Sequence, residues 1–404
     1  TSNLEKIQFI GGFYYYTERI EQPFHIRAPF ESAMYAPLNG LTFGLADELN
    51  LDGDIYYQAG FLESEQYAVY GQADIALTDQ WNLTVGLRYS TDEKDGVEEQ
   101  RVVFYNPSLL PFSLDFSKDF NGPTRRNLSK TWDAVSGKLG IDYQISDDSM
   151  IYGNFAKGYK SGGMRLGQLE GFDPSVPTGI SASVSPFVEG ETLYSFEAGF
   201  KTDLLDKVLR LNTAVFYYDY RNMQAPVSFI DSGTGITLQD FINIPETESY
   251  GLEIESTWIA SDNFQLVGNY SFMKATVAES LKLVDTGFLV PVETDVNGNP
   301  LPKAPEHKLA LVGSYYIDTD IGTFTAVANW MYYSEQYATL FERDVYKIDS
   351  YALASARIIY NNPDDSIQAI LSVSNLTNED APISSLGISG FRNNFARIEL
   401  PGNP

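Results

Sequence analysis

The chain has 404 residues, no cysteine and only two histidines, His25 and His307. Disulfide scaffolds, thiolate metal sites and cysteine nucleophiles are therefore excluded, and little material remains for a zinc site or a histidine base. The 54 acidic residues outnumber the 27 basic ones and give a formal net charge of −27. Such acidity argues against a nucleic-acid partner, because phosphate backbones are held by Lys and Arg. A hydrophobic fraction of 43% with 14% aromatic residues argues against a disordered chain.

Alternation of apolar and polar residues predicts strands along the whole chain, because successive side chains of a strand point to opposite faces. The clearest predicted strands are, in chain order, Tyr67–Thr78, Trp81–Ser90, Thr192–Lys201, Gly251–Ala260, Phe264–Phe272, Lys308–Ile317 and Ile367–Asn375. With the weaker segments, the pattern predicts about thirteen strands in one sheet and no second domain. No apolar run approaches the roughly 18 residues of a membrane-spanning helix. The predicted fold class is all-β.

Aromatic residues at the strand ends distinguish a membrane barrel from a soluble sandwich. Trp81 and Tyr89 bracket one apolar face, and about 26 Å of strand separates them at ~3.3 Å per residue. Tilted by ~40°, this length gives about 20 Å of depth, close to the ~25 Å apolar band between the aromatic girdles of outer-membrane barrels. A sandwich core does not require aromatic residues at these positions. We therefore predict a transmembrane antiparallel β-barrel whose polar face lines the lumen.

Short and long connections alternate between the predicted strands. Short turns, most of them carrying Asp, Asn or Gly, are predicted at Thr78–Asn82, Ser146–Ser149, Leu204–Lys207, Ala260–Asn263, Ile317–Gly322 and Asn361–Ser366. Long connections are predicted at Ile20–Leu62, Asp92–Leu128, Ser161–Gly190, Met223–Thr247, Ala278–Pro305 and Ser334–Arg343. Short periplasmic turns and long extracellular loops are typical of outer-membrane barrels.

Six segments resemble the barrel of TonB-dependent outer-membrane receptors and occur in the order found in that family. They are Gln66–Asp95, Met150–Gly163, Glu191–Gln224, Glu248–Trp258, Ala304–Lys308 and Ser372–Asp380. Within the second, the stretch FAKGYKSGGM, Phe155–Met164, resembles the pesticin and yersiniabactin-siderophore receptor group. The chain is identified as a C-terminal barrel portion of such a receptor.

The resemblance implies a barrel of about twenty-two strands, filled by an N-terminal plug with a short box that contacts TonB. On this basis residues 1–404 form the β-barrel domain, and the plug, about eight early strands and the final strand are expected outside this sequence. The implied function is TonB-dependent active uptake of a scarce nutrient, in the first place a ferric siderophore, without enzymatic activity or a cofactor. Uptake of an oligosaccharide, cobalamin or another organic nutrient is an alternative. A passive porin or a structural barrel is a third.

Aromatic, cationic and methionine residues at the predicted strand mouths are the candidates for nutrient contact. Aromatic faces would stack on a chelate, and cations would meet its negative oxygens. The alternative is that the aromatic residues anchor at the membrane interface while the cations meet lipopolysaccharide phosphates and outer-membrane lipid. The candidates are Tyr159, Lys160, Met164, Arg165, Tyr220, Arg221, Met223, Phe341 and Arg343.

The chain offers no predicted catalytic site, because no pairing of a nucleophile with a base stands out. Asp318 and Asp320 fall in a predicted periplasmic turn, where solvated carboxylates are expected. His25 falls in a long predicted loop and could ligate haem iron, but a surface histidine without a ligand is the favoured interpretation. His307 is expected to be structural, at the start of a strand.

Acidic residues dominate the predicted loop Ile20–Leu62, which has Arg27 as its only basic residue. Asp52 and Asp54 would offer oxygen ligands for calcium, but their spacing does not match the twelve-residue helix–loop–helix pattern. The negative field of such a loop disfavours strongly anionic ligands and slightly favours a neutral or cationic chelate. A salt-adapted acidic surface is an equally good explanation.

Overall fold

The computed structural model describes residues 6–27, 54–105, 113–115, 124–164, 185–230, 237–285, 292–389 and 395–401, which fold almost entirely into strands. Thirteen strands follow one another in chain order along one antiparallel sheet, and a short fourteenth strand, Ser113–Asp115, pairs with the end of the third. The thirteen are β1 (Ile7–Arg27), β2 (Asp54–Ala76), β3 (Trp81–Tyr105), β4 (Thr124–Ser146), β5 (Ser149–Lys160), β6 (Glu191–Leu204), β7 (Leu209–Ile230), β8 (Thr237–Ser261), β9 (Phe264–Val277), β10 (His307–Thr319), β11 (Gly322–Tyr333), β12 (Tyr351–Asn361) and β13 (Gln368–Val373). The predicted all-β class and strand number are confirmed.

Several strands are much longer than a membrane crossing requires. β2, β3 and β8 have 23, 25 and 25 residues, against the roughly 10 of a transmembrane strand. They continue through residues that the sequence assigned to the loops Ile20–Leu62, Asp92–Leu128 and Met223–Thr247, so those predicted loop boundaries are wrong. The backbone ladder continues beyond the membrane, where side chains no longer need an apolar face, and the alternation that marks a strand in sequence is lost.

The two faces of the sheet differ in polarity. One face exposes a continuous set of apolar side chains, among them Phe13 at 70% and Leu87 at 64% of their surface. The opposite face is polar: Thr84 Oγ1 donates to Asp74 Oδ1 at 2.6 Å, and Gln72 Nε2 donates to Asp74 Oδ2 at 3.0 Å. An apolar outer face and a polar inner face are the arrangement of a membrane-spanning barrel. Among the described residues, no helix is long and apolar enough to cross a membrane.

A layer of short hairpins covers the end of the sheet at which the long connections lie. A buried apolar cluster, here called the loop core, is formed in this layer by Ile244, Val277, Val296 and Leu340. The hairpins of the layer pair Gly163–Met164 with Phe187–Val188, Lys282–Asp285 with Val292–Asp295, Gln336–Tyr337 with Lys347–Ile348, and Pro382–Ser389 with Phe395–Pro401, and a 3₁₀ turn spans Asp344–Tyr346.

Candidate functional site at the extracellular mouth

Glu191 organises the outer ends of three neighbouring strands. Lys160 on β5 lies directly opposite Glu191 on β6, and its ammonium is 2.8 Å from Glu191 Oε1. Tyr220 on β7 donates its hydroxyl to Glu191 Oε2, and the backbone N–H of Gln224 donates to Oε1 at 2.9 Å. The Glu191 side chain is only 4% exposed, so these partners supply the compensation that a buried carboxylate requires. Two predicted site residues, Lys160 and Tyr220, are thereby fixed in one network.

Trp132 lies beside this network, between two lysines. It is directly opposite Asp92 in the register of β3 and β4. The ammonium groups of Lys94 and Lys130 lie 5.7 and 5.1 Å from the centre of its ring system. Lys130 pairs with Glu189 at 2.6 Å, and Lys94 donates to the carbonyl of Gly162 at 2.7 Å. We call Asp92, Lys94, Lys130 and Trp132 the Trp132 cluster.

Three buried polar atoms in this region have no hydrogen-bond partner in the described structure: Asp92 Oδ2, Trp132 Nε1 and the Tyr159 hydroxyl. The other Asp92 oxygen accepts from Gln66 Nε2 at 2.7 Å. These residues lie beyond the Tyr89 girdle, outside the membrane-spanning part of the strands. Burial there raises the pKa of Asp92 and lowers that of Lys94. An unpaired buried polar group costs about 1–3 kcal/mol, so this is where the mouth would gain most from a polar partner.

A buried ion pair joins two extracellular segments beside the loop core. Asp285 is 1% exposed, and its Oδ2 is 2.6 Å from Arg343 Nη1. The hydroxyl of Tyr346 donates to Asp285 Oδ1 at 2.7 Å. Phe341 and Met223 pack against the loop core. Three further predicted site residues, Met223, Phe341 and Arg343, are thus brought together. Met223 and Phe341 contact the loop core, and Arg343 contacts Asp285.

The remaining candidates have other contacts or lie outside the described residues. Met164 lies opposite Phe187 in a two-residue hairpin strand. Arg221 turns to the outer face, where its Nη2 is 2.8 Å from Asp219 Oδ2. Arg165 lies outside the described residues. Nutrient contact by any of the nine candidates stays a prediction.

The organising residues Glu191, Trp132 and Asp285 were not among the sequence candidates. Glu191 and Lys160 are 31 positions apart, and Asp285 and Arg343 are 58 apart. Only the strand register and the loop fold bring them together, and alternation in a single sequence does not specify either. The aromatic and basic residue types that made Lys160 and Arg343 candidates identify only the basic member of each ion pair and give no indication of its acidic partner.

The remaining sequence candidates have structural surroundings or fall outside the described parts. His307 begins β10, and its Nδ1 is 2.9 Å from the Tyr270 hydroxyl, which fits the structural role expected for it. Asp318 accepts from Thr323 Oγ1 at 2.9 Å across the turn between β10 and β11. Asp52 and the His25 side chain lie outside what is described. Within the described residues, no group of three or more His, Asp or Glu side chains is arranged to hold a metal ion.

Residues 7–376 match the family model of TonB dependent receptor-like β-barrels. The probable TonB-dependent siderophore receptor PiuA of Acinetobacter baumannii is 22% identical over 253 residues, which cover 63% of this chain and 29% of PiuA. The pesticin receptor of Yersinia pestis is 23% identical over 263 residues, which cover 65% of this chain and 32% of the receptor.

Solved structures show the same fold. The ferric yersiniabactin uptake receptor FyuA from Yersinia pestis aligns with a TM-score of 0.69 at 16% identity, over 98% of this chain and 49% of FyuA. The siderophore receptor PiuA from Acinetobacter baumannii aligns with a TM-score of 0.64 at 18% identity, over 98% of this chain and 52% of PiuA. The chain thus spans about half the length of these receptors. It belongs to the TonB-dependent receptor-like β-barrel family of the outer membrane.

Proposed function

We propose that this barrel is part of a receptor for TonB-dependent active uptake of a ferric siderophore. The observation that carries the proposal is the family match over residues 7–376, supported by relatives whose names state siderophore reception or ferric siderophore uptake. The TonB complex would supply the energy. The barrel would hold and shield the chelate, and because no covalent bond is made or broken in this role, the protein is not an enzyme.

The Trp132 cluster has the chemistry to hold such a chelate. It combines an aromatic ring, two ammonium groups and two buried polar atoms, Asp92 Oδ2 and Trp132 Nε1, that have no hydrogen-bond partner among the described residues. Trp132 Nε1 would donate to a chelate oxygen, while Asp92 would accept from a chelate hydroxyl or amide. A site that satisfies such groups favours its own ligand over analogues that leave them unpaired.

The loop core and the Asp285–Arg343 pair would position the mouth around the ligand. Phe341 and Arg343 lie in the segment that this pair ties to the hairpin Lys282–Asp285. In this proposal Phe341 and Arg343 shape the binding pocket indirectly, because they hold the loop in one conformation. A substitution at either position would therefore lower the affinity by disordering the loop.

Uptake in cells separates the candidate functions. A strain that lacks the complete gene would be given ⁵⁵Fe-labelled catecholate, hydroxamate and phenolate chelates under iron limitation. We expect the uptake of at least one chelate to be lost in this strain and in a strain with inactive TonB. Uptake that persists without TonB would instead support a passive porin. A growth defect on an oligosaccharide or on limiting cobalamin, with normal iron uptake, would support an organic nutrient.

A matched pair of tryptophan variants tests the site. Trp132→Phe keeps an aromatic ring and removes the unpartnered N–H, whereas Trp258→Phe changes an exposed residue of the outer face. We expect Trp132→Phe to weaken chelate binding by about tenfold, the effect of one lost hydrogen bond, and Trp258→Phe to leave it unchanged. Equal affinities for both variants would move the ligand away from the Trp132 cluster.

A further inference from the structure

A short hairpin between β5 and β6 lies against the Trp132 cluster. We call it the Gly162 hairpin; it consists of the paired segments Gly163–Met164 and Phe187–Val188 with the flanking residues Gly162 and Glu189. The ring of Phe187 meets the ring system of Trp132 edge-on, with 6.2 Å between the ring centres. The Trp132 side chain is only 7% exposed. The hairpin therefore covers the part of β4 to which chelate contact is assigned above.

Gly162 packs against the edge of the Trp132 indole that carries the N–H. A Cβ at Gly162 would stand 2.3 Å from Trp132 Nε1 and Cε2 and 2.4 Å from the Val188 carbonyl oxygen. The next residue, Gly163, has nothing within 4 Å of its Cβ position, and neither glycine has the positive φ that excludes alanine. Because Trp132 Nε1 has no partner among the described residues, the Gly162 contact closes off a donor that a chelate would use.

The hairpin also supplies the acceptors of two lysines that face each other. Lys94 on β3 lies directly opposite Lys130 on β4, and like charges in that position are unfavourable. The Gly162 carbonyl accepts from Lys94 at 2.7 Å, and Glu189 Oε1 is 2.6 Å from Lys130 Nζ. The Glu189 and Lys130 side chains are 55% and 28% exposed, so this ion pair is weak enough for another oxyanion to replace it. The hairpin thus holds two oxygen atoms where the oxygen atoms of a chelate would bind.

The opposite side of the Gly162 hairpin is fixed by hydrogen bonds to β7 and β8. Gln224 Nε2 donates to the carbonyls of Ser161 and Glu189 at 2.9 and 3.0 Å. The Asn243 side chain accepts from the Glu189 N–H at 2.8 Å and donates to the Glu189 carbonyl at 3.0 Å. The side at Trp132 instead buries an N–H without a partner among the described residues, and contact with water would remove that cost. We therefore expect the hairpin to open at Trp132 and to stay attached at Gln224 and Asn243.

We propose that the Gly162 hairpin is a displaceable cover of the chelate site, an inference that rests on the proposed function. In the ligand-free receptor the Gly162 carbonyl and the Glu189 carboxylate occupy Lys94 and Lys130. The oxygen atoms of an arriving ferric chelate replace both acceptors, the hairpin moves away from Trp132, and the indole N–H becomes available to the ligand. A chelate whose oxygen atoms cannot reach both lysines leaves the cover closed, so the hairpin contributes to selectivity.

Adjacent glycines give a matched test in the complete receptor without any ligand. Gly162→Ala forces the hairpin away from Trp132, whereas Gly163→Ala has room for its methyl group. We expect Gly162→Ala to raise the amide exchange of Phe187–Val188 by about tenfold or more, the effect of a moderate packing clash, and Gly163→Ala to leave it unchanged. Hydroxyl-radical oxidation of Trp132 should rise in Gly162→Ala alone, while the Glu189 amide, on the fixed side, stays protected. Equal exchange in the two variants, or loss of protection at Glu189 as well, would overturn the cover.

A lysine variant provides a second test if Gly162→Ala does not assemble. Lys94→Met removes the donor to the Gly162 carbonyl and should also raise the oxidation of Trp132. Lys157→Met is the control, because the Lys157 ammonium lies at the Tyr194 ring, 5.9 Å from its centre. Unchanged oxidation of Trp132 in Lys94→Met would contradict the cover.

Ferric catecholate, hydroxamate and phenolate chelates then separate the cover from the proposed function. A chelate that binds should raise the exchange of Phe187–Val188 in the wild type. It should also associate several-fold faster with Gly162→Ala than with Gly163→Ala, because the open form is already populated. A chelate that binds and slows this exchange would overturn displacement, since the hairpin would then close on its ligand. Binding of none of the three would contradict the proposed function, while the ligand-free measurements still decide whether the hairpin is a cover.

Discussion

Removing Arg343 should open the extracellular hairpin layer while the barrel remains intact. Arg343→Met keeps most of the side-chain length but removes the guanidinium that lies 2.6 Å from the carboxylate of Asp285, a residue that is 1% exposed. Loss of one partner from a buried pair costs about 3–5 kcal/mol. Asp285 retains the hydrogen bond from Tyr346, so we take the lower end, about 3 kcal/mol. At about 1.4 kcal/mol per factor of ten, the local opening equilibrium should rise by more than about a hundredfold.

Hydrogen exchange measured by mass spectrometry reads this opening directly. The amides of Lys282–Asp285 and Val292–Asp295 should exchange faster in Arg343→Met, while those of β11 serve as an internal reference. Lys282→Met is the matched control, because Lys282 pairs with Glu293 at 3.2 Å in the same hairpin with both side chains more than 60% exposed. Such exposed pairs contribute about 0–1 kcal/mol. Similar exchange in Arg343→Met and Lys282→Met would refute the role of burial in this argument.

The same variant distinguishes a positioning residue from one that contacts the nutrient. Tyr346→Phe removes the hydrogen bond from the Tyr346 hydroxyl to Asp285 and leaves Arg343 in place. If Arg343 acts through loop order, both variants should weaken nutrient binding in proportion to the increase in exchange. A loss of affinity in Arg343→Met alone, at equal exchange rates, would mean that the guanidinium itself contacts the ligand.

Three further substitutions test burial and packing at single positions. Burial raises the pKa of Asp92, so ionisation costs stability as the pH rises from about 4, the unfolded value, through the raised folded value. Asp92→Asn should therefore raise the unfolding temperature more at about pH 8 than at about pH 4, and an equal gain at both would contradict this sign. Ile244→Ala, at a fully buried position of the loop core, should raise hairpin exchange by the equivalent of about 2–5 kcal/mol, and unchanged exchange would show that the loop core does not hold the layer. Gly251→Ala places a Cβ 2.1 Å from the Phe272 carbonyl oxygen and should lower the unfolding temperature well below that of Gly313→Ala, whereas equal temperatures would show that the backbone yields there at little cost.

Alternation in the sequence was sufficient to predict the membrane-spanning parts of the strands. The segment Trp81–Tyr89 was recognised because lipid requires every second side chain to be apolar, and β3 begins at Trp81 as predicted. The same rule fails above the girdle, where the side chains of both faces meet water or the hairpin layer. β3 therefore runs on to Tyr105 through a stretch that the pattern predicted as loop.

The contacts of the mouth depend on register, which a single sequence leaves open. Lys160 meets Glu191 because β5 and β6 pair with those two residues opposite each other. A shift of one residue in that pairing would turn one of the two side chains to the outer face. Asp285 and Arg343 depend in the same way on the fold of two loops whose polar residues show no period. Composition therefore identified the residue types of the mouth, and pairing decided their partners.

Arg221 shows why adjacent candidates in a strand need to be separated by face. Tyr220 and Arg221 were both predicted as candidates for nutrient contact, yet consecutive side chains of a strand point to opposite sides. Tyr220 turns inward and donates to Glu191, whereas Arg221 turns outward and pairs with Asp219 beside Tyr194. The aromatic and cationic residues at the end of β7 therefore serve two surfaces. The inner one faces the lumen and the outer one faces away from it, so nutrient contact stays a prediction for Tyr220, and contact with lipopolysaccharide or lipid stays a prediction for Arg221.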